Sequence, residues 1–314
     1  MRYLFVFPGQ GSQKVGMGAD LFKNFKQARV VFEEASDATA LNLKKLCFEG
    51  PLEELTKTFH AQPALLTVSV AILRILEAES DLKPTLVAGH SLGEYSALVA
   101  NGALTLSLAV SLVKKRGGAM QKAVPLGVGS MAAVLGLEPE RIEECCEKVN
   151  RKDHVVSIAN FNAPLQTVIS GHKQAVEEVS ALCKEMGGKS IPLPVSAPFH
   201  CELMKGAQEA MKLELEKVKV NSFGISYIAN YDAKTHTENN EVKELLVKQI
   251  CSPVRWVSSM KEAIKNDVEK GFEIGSGTVL TGLMKKIAPE FPIQNISDVE
   301  SLKKVLNKRS SQQY

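Results

Sequence analysis

The sequence predicts an α/β fold: a hydrolase-like large domain with a mainly parallel sheet, and a ferredoxin-like small domain inserted into it. Three observations lead to this prediction. Short apolar runs alternate with longer helical runs along most of the 314 residues. A segment in the middle of the chain follows another order: strand, helix, strand, strand, helix, strand. A serine flanked by glycines follows one of the apolar runs, where the chain turns sharply into a helix.

The large domain is predicted from apolar runs of strand length at residues 3–7, 85–88, 225–229 and 270–274. Between them the sequence predicts helices at residues 65–78, 92–99, 106–122, 205–218 and 241–249. Parallel strands need long crossover connections, which helices usually supply. This alternation therefore favours a mainly parallel sheet.

The middle segment is predicted to contain strands at residues 130–135, 155–159, 167–170 and 190–193, with helices at 138–148 and 172–186. This order is typical of a ferredoxin-like domain. We therefore expect a small domain at 126–195, inserted into a large catalytic domain made of 1–125 and 196–307. The polar residues 308–314 are expected to form a flexible tail.

The composition is ordinary for a soluble enzyme, with 45% hydrophobic residues, 23% charged residues and a net charge of +3. This charge is too small to indicate a nucleic-acid partner. The six cysteines form no C-x-x-C pair and have no zinc-ligand spacing. We therefore expect no metal site, no nucleic acid and a reducing, cytoplasmic compartment.

One uncharged stretch, residues 95–113, has nearly the length of a membrane span. Asn101-Gly102 interrupts it, and Thr105 has the position of a helix N-cap. Two buried helices explain the stretch better than a membrane helix does, because polar residues are costly at that depth. No membrane association is expected.

The motif Gly89-His-Ser-Leu-Gly93 fits the nucleophile elbow G-x-S-x-G, in which a strained turn exposes a serine hydroxyl. An apolar strand precedes Ser91 and a helix-forming run follows it, as the motif requires. Ser91 is therefore the candidate nucleophile. A tight turn containing an unreactive serine remains the alternative.

A serine nucleophile needs a base, and His200 is the best of the six histidines. It follows the inserted domain, at a junction where a cleft between domains is expected. His90 adjoins Ser91 in sequence, so its side chain is expected to point away and to pack. No carboxylate stands out as a third member, since Asp153 and Asp232 lie in turn-like surroundings. A Ser–His dyad oriented by a backbone carbonyl is at least as plausible as a triad.

Two glycine-rich loops, 8–13 and 277–282, lack residues that a phosphate-binding motif requires. The first loop can still present backbone N–H groups to an oxyanion, because it follows a strand. Arg116 precedes Gly117-Gly118, so a basic residue near a helix end is sufficient to explain it.

A set of motifs occurs in a fixed order along the chain: Phe7-Pro-Gly-Gln-Gly-Ser-Gln13, Gly89-His-Ser-Leu-Gly-Glu94, Arg116 with Met120-Gln121, Pro198-Phe-His200 and Phe272-Glu-Ile-Gly275. Together they resemble the malonyl-CoA:acyl-carrier-protein transacylase family of fatty-acid synthesis, over roughly residues 3–306. The combined set is far more specific than G-x-S-x-G alone.

This resemblance implies a ping-pong transfer in which Ser91 attacks malonyl-CoA and carries the malonyl group as an ester. It implies that His200 is the base and then the acid, oriented by the main-chain carbonyl of Gln249. The backbone N–H groups of Gln10 and Leu92 would form the oxyanion hole.

The resemblance also implies the substrate-binding residues and the partner. Arg116 would pair with the malonyl carboxylate, and Phe199 resembles the bulky residue of malonyl-selective relatives. Malonyl-CoA would be a substrate rather than a cofactor, no cofactor would be needed, and an acyl carrier protein would accept the malonyl group. A monomer is expected.

Two alternatives are left open by the residues alone. One is a serine esterase or thioesterase that uses water as acceptor, although such an enzyme has no reason to place Arg116 in its pocket. The other is a non-catalytic scaffold of similar fold that binds a carrier protein.

Overall fold

The computed structural model describes residues 1–195 and 197–310. Its strands are β1 (Tyr3–Phe7), β2 (Leu86–Gly89), β3 (Gly129–Leu135), β4 (Val156–Ala163), β5 (Gln166–His172), β6 (Lys189–Pro192), β7 (Ser226–Ile228), β8 (Thr235–His236), β9 (Lys270–Ile274) and β10 (Ile293–Ile296). Residues 311–314, the end of the predicted flexible tail 308–314, lie outside the described residues.

The helices are α1 (Ala19–Asn24), α2 (Lys26–Thr39), α3 (Leu43–Phe48), α4 (Leu52–Thr56), α5 (Thr58–Glu79), α6 (Gly93–Ala100), α7 (Leu106–Lys122), α8 (Pro139–Val149), α9 (Lys173–Glu185), α10 (Lys205–Glu216), α11 (Val242–Gln249), α12 (Trp256–Lys265), α13 (Val279–Ile287) and α14 (Val299–Ser310). A short 3₁₀ turn, Glu202–Met204, precedes α10.

The larger sheet has the strand order β10-β9-β1-β2-β7-β8. All its neighbouring pairs are parallel except β7 with β8. Apolar side chains fill both of its faces, as expected for a parallel sheet covered by helices. The predicted α/β fold with a mainly parallel sheet is confirmed.

The smaller sheet has the order β4-β5-β3-β6, and every pair is antiparallel. Helices α8 and α9 pack against it in a separate apolar cluster that includes Ile142, Val176 and Val179. This arrangement is the ferredoxin-like pattern predicted for the inserted segment. Its strands and helices lie between Gly129 and Pro192.

Helix α5 begins earlier than the sequence predicts, at Thr58 rather than at residue 65. Pro63 lies inside its second turn, where a proline removes only one helical hydrogen bond. This helix is long and apolar enough to cross a membrane by length and composition, and 83% of its most apolar window is buried inside the protein. The uncharged stretch 95–113, in contrast, forms α6 and the start of α7, and Thr105 caps α7 by accepting from the Leu108 N–H at 3.3 Å.

Candidate active site

A cleft of about 540 Å³ lies between the two sheets and is lined by residues from both. The large domain contributes Ser91, Arg116 and His200 to it, and the small domain contributes Met131 and Asn160. The cleft therefore has the position predicted from the junction of the inserted segment.

The turn that carries Ser91 has the geometry of a nucleophile elbow. Ser91 has a φ of 52° and lies between β2 and α6. A Cβ atom at Gly89 would collide with the backbone of Gly93, and a Cβ atom at Gly93 would collide with the Phe7 carbonyl at the end of β1. Strands β1 and β2 therefore approach the start of α6 this closely only because both residues are glycine. The Ser91 N–H donates to the Asn230 side-chain oxygen at 2.7 Å. The bond to Asn230 and the close packing at Gly89 and Gly93 therefore hold the strained turn in place.

His200 is the partner of the Ser91 hydroxyl, with 2.7 Å between Ser91 Oγ and His200 Nε2. The other ring nitrogen, Nδ1, donates to the main-chain carbonyl of Gln249 at 2.9 Å. This bond leaves Nε2 of the neutral ring as an acceptor for the serine proton. Within residues 1–195 and 197–310 no carboxylate hydrogen-bonds to the His200 ring, and Asp232 binds His236 instead.

The His200 ring is 3% exposed, and its pKa is lowered from 6.5 to about 3. Burial is the main cause, and the positive charge of Arg116 adds to it. The imidazole is therefore neutral at pH 7, which is the state that a general base needs.

Arg116 lies beside the same hydroxyl and is 1% exposed. Its terminal nitrogens donate to Ser91 Oγ at 3.1 Å and to the side-chain oxygens of Gln249 at 2.8 Å and Gln62 at 3.0 Å. The guanidinium also faces the Tyr95 ring, with 5.7 Å to its centroid. Burial lowers its pKa.

Two features distinguish this arginine from an ordinary buried one. No carboxylate lies within salt-bridge distance of it in the described chain, and its Nε has no hydrogen-bond partner there. The explanation of Arg116 as a basic residue beside a helix-ending glycine pair is wrong, because α7 continues through Gly117 to Lys122, as the predicted helix 106–122 does. Gly117 is needed there because a Cβ atom would collide with the backbone at the start of α5. Arg116 is therefore fixed in mid-helix, facing the site.

Gln10 and Leu92 both line the cleft, on the loops after β1 and β2. Gly9 packs against the backbone carbonyl of His90, which brings the first loop next to the elbow. Neither the Gln10 nor the Leu92 N–H donates to an acceptor within the described residues. The two groups are therefore available to an oxyanion.

His90 and Phe199 lie on the walls of the cleft. His90 Nε2 is 2.8 Å from the Asn162 side-chain oxygen, and the ring packs on Trp256 with 5.5 Å between centroids. It thus packs away from the Ser91 hydroxyl, as the sequence predicts. Phe199, directly before His200, is 8% exposed.

Sequence reasoning missed several polar side chains that hold the site together. Gln62 and the side chain of Gln249 hold Arg116, while Asn230 and Glu94 hold the elbow and Gln249. Asn230 directly follows a predicted strand, a position where site residues collect, and this was its only signal. In the part of the chain that is described, no group of three or more His, Cys, Asp or Glu residues has the geometry to hold a metal ion.

The chain is similar in sequence and fold to known proteins. The family model described as "Acyl transferase domain" matches residues 4–306. The malonyl CoA-acyl carrier protein transacylase of Haemophilus influenzae is 46% identical over 306 residues, which cover 97% of this chain and 98% of that protein. The crystal structure of the transacylase of that name from Clostridium perfringens superposes with a TM-score of 0.95 at 40% identity, covering 100% and 98% of the two chains.

A further solved structure contains a type II PKS acyl-carrier protein in complex with its malonyl-transacylase. The chain that matches has a TM-score of 0.95 and 41% identity, covering 98% of this chain and 100% of that one.

Proposed function

The chain belongs to the acyl transferase family, in the group of malonyl CoA-acyl carrier protein transacylases, and we propose that it works through a malonyl ester on Ser91. In this proposal the malonyl group moves from malonyl-CoA to Ser91 and then to the phosphopantetheine thiol of an acyl carrier protein. The observation that carries the proposal is the buried guanidinium of Arg116, 3.1 Å from the hydroxyl that His200 also contacts.

In the first half-reaction His200 Nε2 takes the proton of the Ser91 hydroxyl as Oγ bonds to the thioester carbon. Collapse of the tetrahedral intermediate breaks the carbon–sulfur bond, and the proton on His200 passes to the CoA thiolate. The main-chain carbonyl of Gln249 stabilises the transient imidazolium, as an orienting group does in a triad. The negative oxygen of the intermediate is bound by the N–H groups of Gln10 and Leu92.

Arg116 selects the acyl group. A buried guanidinium without an anionic partner is costly, so a ligand that brings a carboxylate is favoured over one that does not. The planar fork suits a carboxylate better than a lysine ammonium would. On binding, the malonyl carboxylate replaces the hydrogen bond from Arg116 to the Ser91 hydroxyl, which frees the hydroxyl to react.

In the second half-reaction His200 takes the proton of the phosphopantetheine thiol, sulfur attacks the ester carbon, and Ser91 leaves with that proton. Neither half-reaction changes an oxidation state, and His200 carries the one proton that moves in each. The proposed mechanism therefore requires neither a metal nor a redox cofactor. We propose that the Phe199 ring limits the space beside the acyl group and so favours malonyl over branched relatives. We also propose that the enzyme acts as a cytoplasmic monomer.

Intact-mass spectrometry after incubation with malonyl-CoA tests the proposal. The wild-type protein should gain the mass of one malonyl group, and peptide mapping should place it on Ser91. Ser91→Ala, which removes the hydroxyl and keeps the backbone N–H that donates to Asn230, should gain none. Addition of a phosphopantetheinylated acyl carrier protein should remove the adduct from the enzyme and place it on the carrier.

The same experiment separates transfer from hydrolysis. A transferase should release about one equivalent of CoA per enzyme and then stop until a carrier protein is added. Continuous release of CoA without an acceptor would identify a thioesterase, and a malonyl adduct on Ser91→Ala would refute the nucleophile.

A further inference from the structure

Glu94 is a fully buried carboxylate in the first turn of α6, three residues after Ser91. Its Oε2 accepts two hydrogen bonds, from Gln249 Nε2 at 2.7 Å and from the Asn230 N–H at 3.0 Å. It touches neither the Ser91 hydroxyl nor His200. The catalytic steps above give it no role. Its burial is costly, because Oε1 has no hydrogen-bond partner among the described residues.

The side-chain amide of Gln249 lies between one hydrogen-bond donor, Arg116, and two hydrogen-bond acceptors. Its Nε2 donates to Glu94 and also to the main-chain oxygen of Ser91 at 3.0 Å. Its Oε1 accepts from Arg116 at 2.8 Å. Arg116 can only donate, the main-chain oxygen of Ser91 can only accept, and Glu94 Oε2 accepts in this arrangement. A flipped amide would therefore face a like group on both sides, so only one orientation satisfies all three neighbours.

Glu94 and Arg116 are the two ionisable neighbours that select this orientation, because a hydrogen bond between an amide and an ionised group is charge-assisted. The negative charge of Glu94 also acts through space on Arg116 and favours the charged guanidinium, against the effect of burial. Burial raises the pKa of Glu94 to about 7, although the bonds from Asn230 and Gln249 and the charge of Arg116 act against this rise. Asp232 raises it further, and Tyr95 and Tyr227 are the other titratable groups near the carboxylate.

Asn230 links the same carboxylate to the elbow. While its N–H donates to Glu94, its side-chain amide donates to the Gly89 carbonyl at 2.7 Å and accepts from the Ser91 N–H at 2.7 Å. Glu94 thus connects Gln249, which holds Arg116, to Asn230, which holds the backbone at Ser91.

We propose that Glu94 is a positioning residue that acts through Gln249: it fixes the amide so that Oε1 holds Arg116 in place, and thereby sets the preference for acyl groups that carry a carboxylate. This inference rests on the proposed function, since it concerns how that site selects its substrate. It assigns the side chain of Gln249 a role separate from that of its main-chain carbonyl.

The test compares variants by the ratio of kcat/KM for malonyl-CoA to kcat/KM for acetyl-CoA. Glu94→Ala should lower this ratio by roughly tenfold or more, as the loss of a hydrogen bond to a charged group predicts. Glu94→Gln, whose amide oxygen can accept the same two bonds, should keep the ratio within about threefold of the wild type. Rescue by this conservative variant distinguishes positioning from a requirement for charge alone.

Glu273 supplies the matched control. It is also a fully buried carboxylate with a raised pKa, and it accepts the N–H groups of Leu280 and Thr281 at the start of α13. Glu273→Ala should lower the free energy of unfolding without changing the malonyl-to-acetyl ratio. A general loss of stability would affect Glu94→Ala and Glu273→Ala alike, whereas loss of positioning lowers the malonyl-to-acetyl ratio only in Glu94→Ala.

Gln249→Met provides a second readout, because it removes the side-chain amide and keeps the main-chain carbonyl. It should lower the ratio as Glu94→Ala does, and the double variant should lose no more than either single one. If Glu94→Ala does not fold, Glu94→Asp, which withdraws the oxygens by one methylene, takes its place.

An unchanged ratio in folded Glu94→Ala or Glu94→Asp, or additive losses in the double variant, would overturn the inference. A wild-type protein that transfers no malonyl group would instead refute the proposed function, so the two failures are distinguishable.

Discussion

The two sides of the cleft are built differently. On the large-domain side a continuous hydrogen-bond network joins Ser91, Arg116, Gln249, Glu94 and Asn230, with distances of 2.7 to 3.1 Å. The small-domain side presents a wall that includes Met131, Val168 and Asn160, and its polar link to the elbow is the contact of Asn162 with His90. One side is a connected polar network, and the other is a wall that encloses the cleft.

The sheets explain this difference. In the parallel sheet β1, β2 and β7 are neighbours, so their carboxyl ends bring Gln10, Ser91 and Asn230 to one edge. Ligand sites collect at that edge in open parallel sheets. In the antiparallel sheet neighbouring strands end at opposite edges, so no such convergence arises. The comparison predicts that substitutions on the large-domain side change rates and selectivity, whereas those on the small-domain side have small effects.

The largest effect is expected from His200→Ala. Removal of a general base typically costs roughly 10²–10⁴-fold in rate, and the rate of enzyme acylation by malonyl-CoA should fall by that factor. Rapid-quench mass spectrometry measures it directly. The variant should still bind malonyl-CoA, because Arg116 is retained. Acylation at an undiminished rate would contradict the assignment of His200 as base.

Arg116→Ala should change selectivity rather than chemistry. The kcat/KM for malonyl-CoA should fall by roughly a hundredfold, because the carboxylate loses its charged hydrogen bonds. The kcat/KM for acetyl-CoA should stay the same or rise. Arg116→Lys, which keeps the charge but not the fork, should recover little of the malonyl activity. Equal losses with both substrates would show that Arg116 supports the fold of the site and not the recognition of a carboxylate.

The pH dependence follows from the lowered pKa of His200. A base whose pKa is lowered to about 3 stays unprotonated as the pH falls from 7 to 5, so the contribution of His200 to kcat/KM should be flat in this range. An ordinary histidine with a pKa of 6.5 would lose activity about 25-fold between pH 7 and pH 5. Once malonyl is bound, its carboxylate offsets the charge of Arg116, so the acid limb of kcat should lie at higher pH than that of kcat/KM. If the acid limbs of kcat and kcat/KM lie at the same pH, the charge of Arg116 does not contribute to the lowered pKa of His200.

The sequence predicts best those features whose cause is local. The glycines of the elbow and the junction before His200 are local patterns, and the structure brings the two residues together. The alternation of apolar and helical runs likewise predicts both sheets. The predicted start of α5 at residue 65 is wrong, because a proline is typical of a helix start whereas Pro63 lies in the second turn of this helix.

The features that sequence reasoning missed depend on residues far apart in the chain. Glu94 and Gln249 are 155 positions apart, and Ser91 and Asn230 are 139 apart. No periodicity or spacing links such pairs, since each partner alone is an ordinary polar residue. Arg116 was noticed through the family resemblance, because its position beside two glycines has a simpler local explanation. The domain boundaries at 126–195 stay a prediction.

The smallest effects test the comparison most directly, because the two sides offer a matched pair of asparagines. Asn230→Ala removes the hydrogen bonds from the Ser91 N–H and to the Gly89 carbonyl. Because the position is fully buried, these two groups gain no replacement partner. It should lower the free energy of unfolding by about 2 kcal/mol and the acylation rate roughly tenfold.

Asn162→Ala removes one bond to His90 at a half-buried position, where water can take its place. It should cost less than about 1 kcal/mol in unfolding free energy and change the acylation rate by less than about threefold. Chemical denaturation and single-turnover acylation measure both quantities for both variants. Equal losses of rate would mean that the small-domain wall takes part in positioning the nucleophile through His90, and the division between a reacting side and an enclosing side would fail.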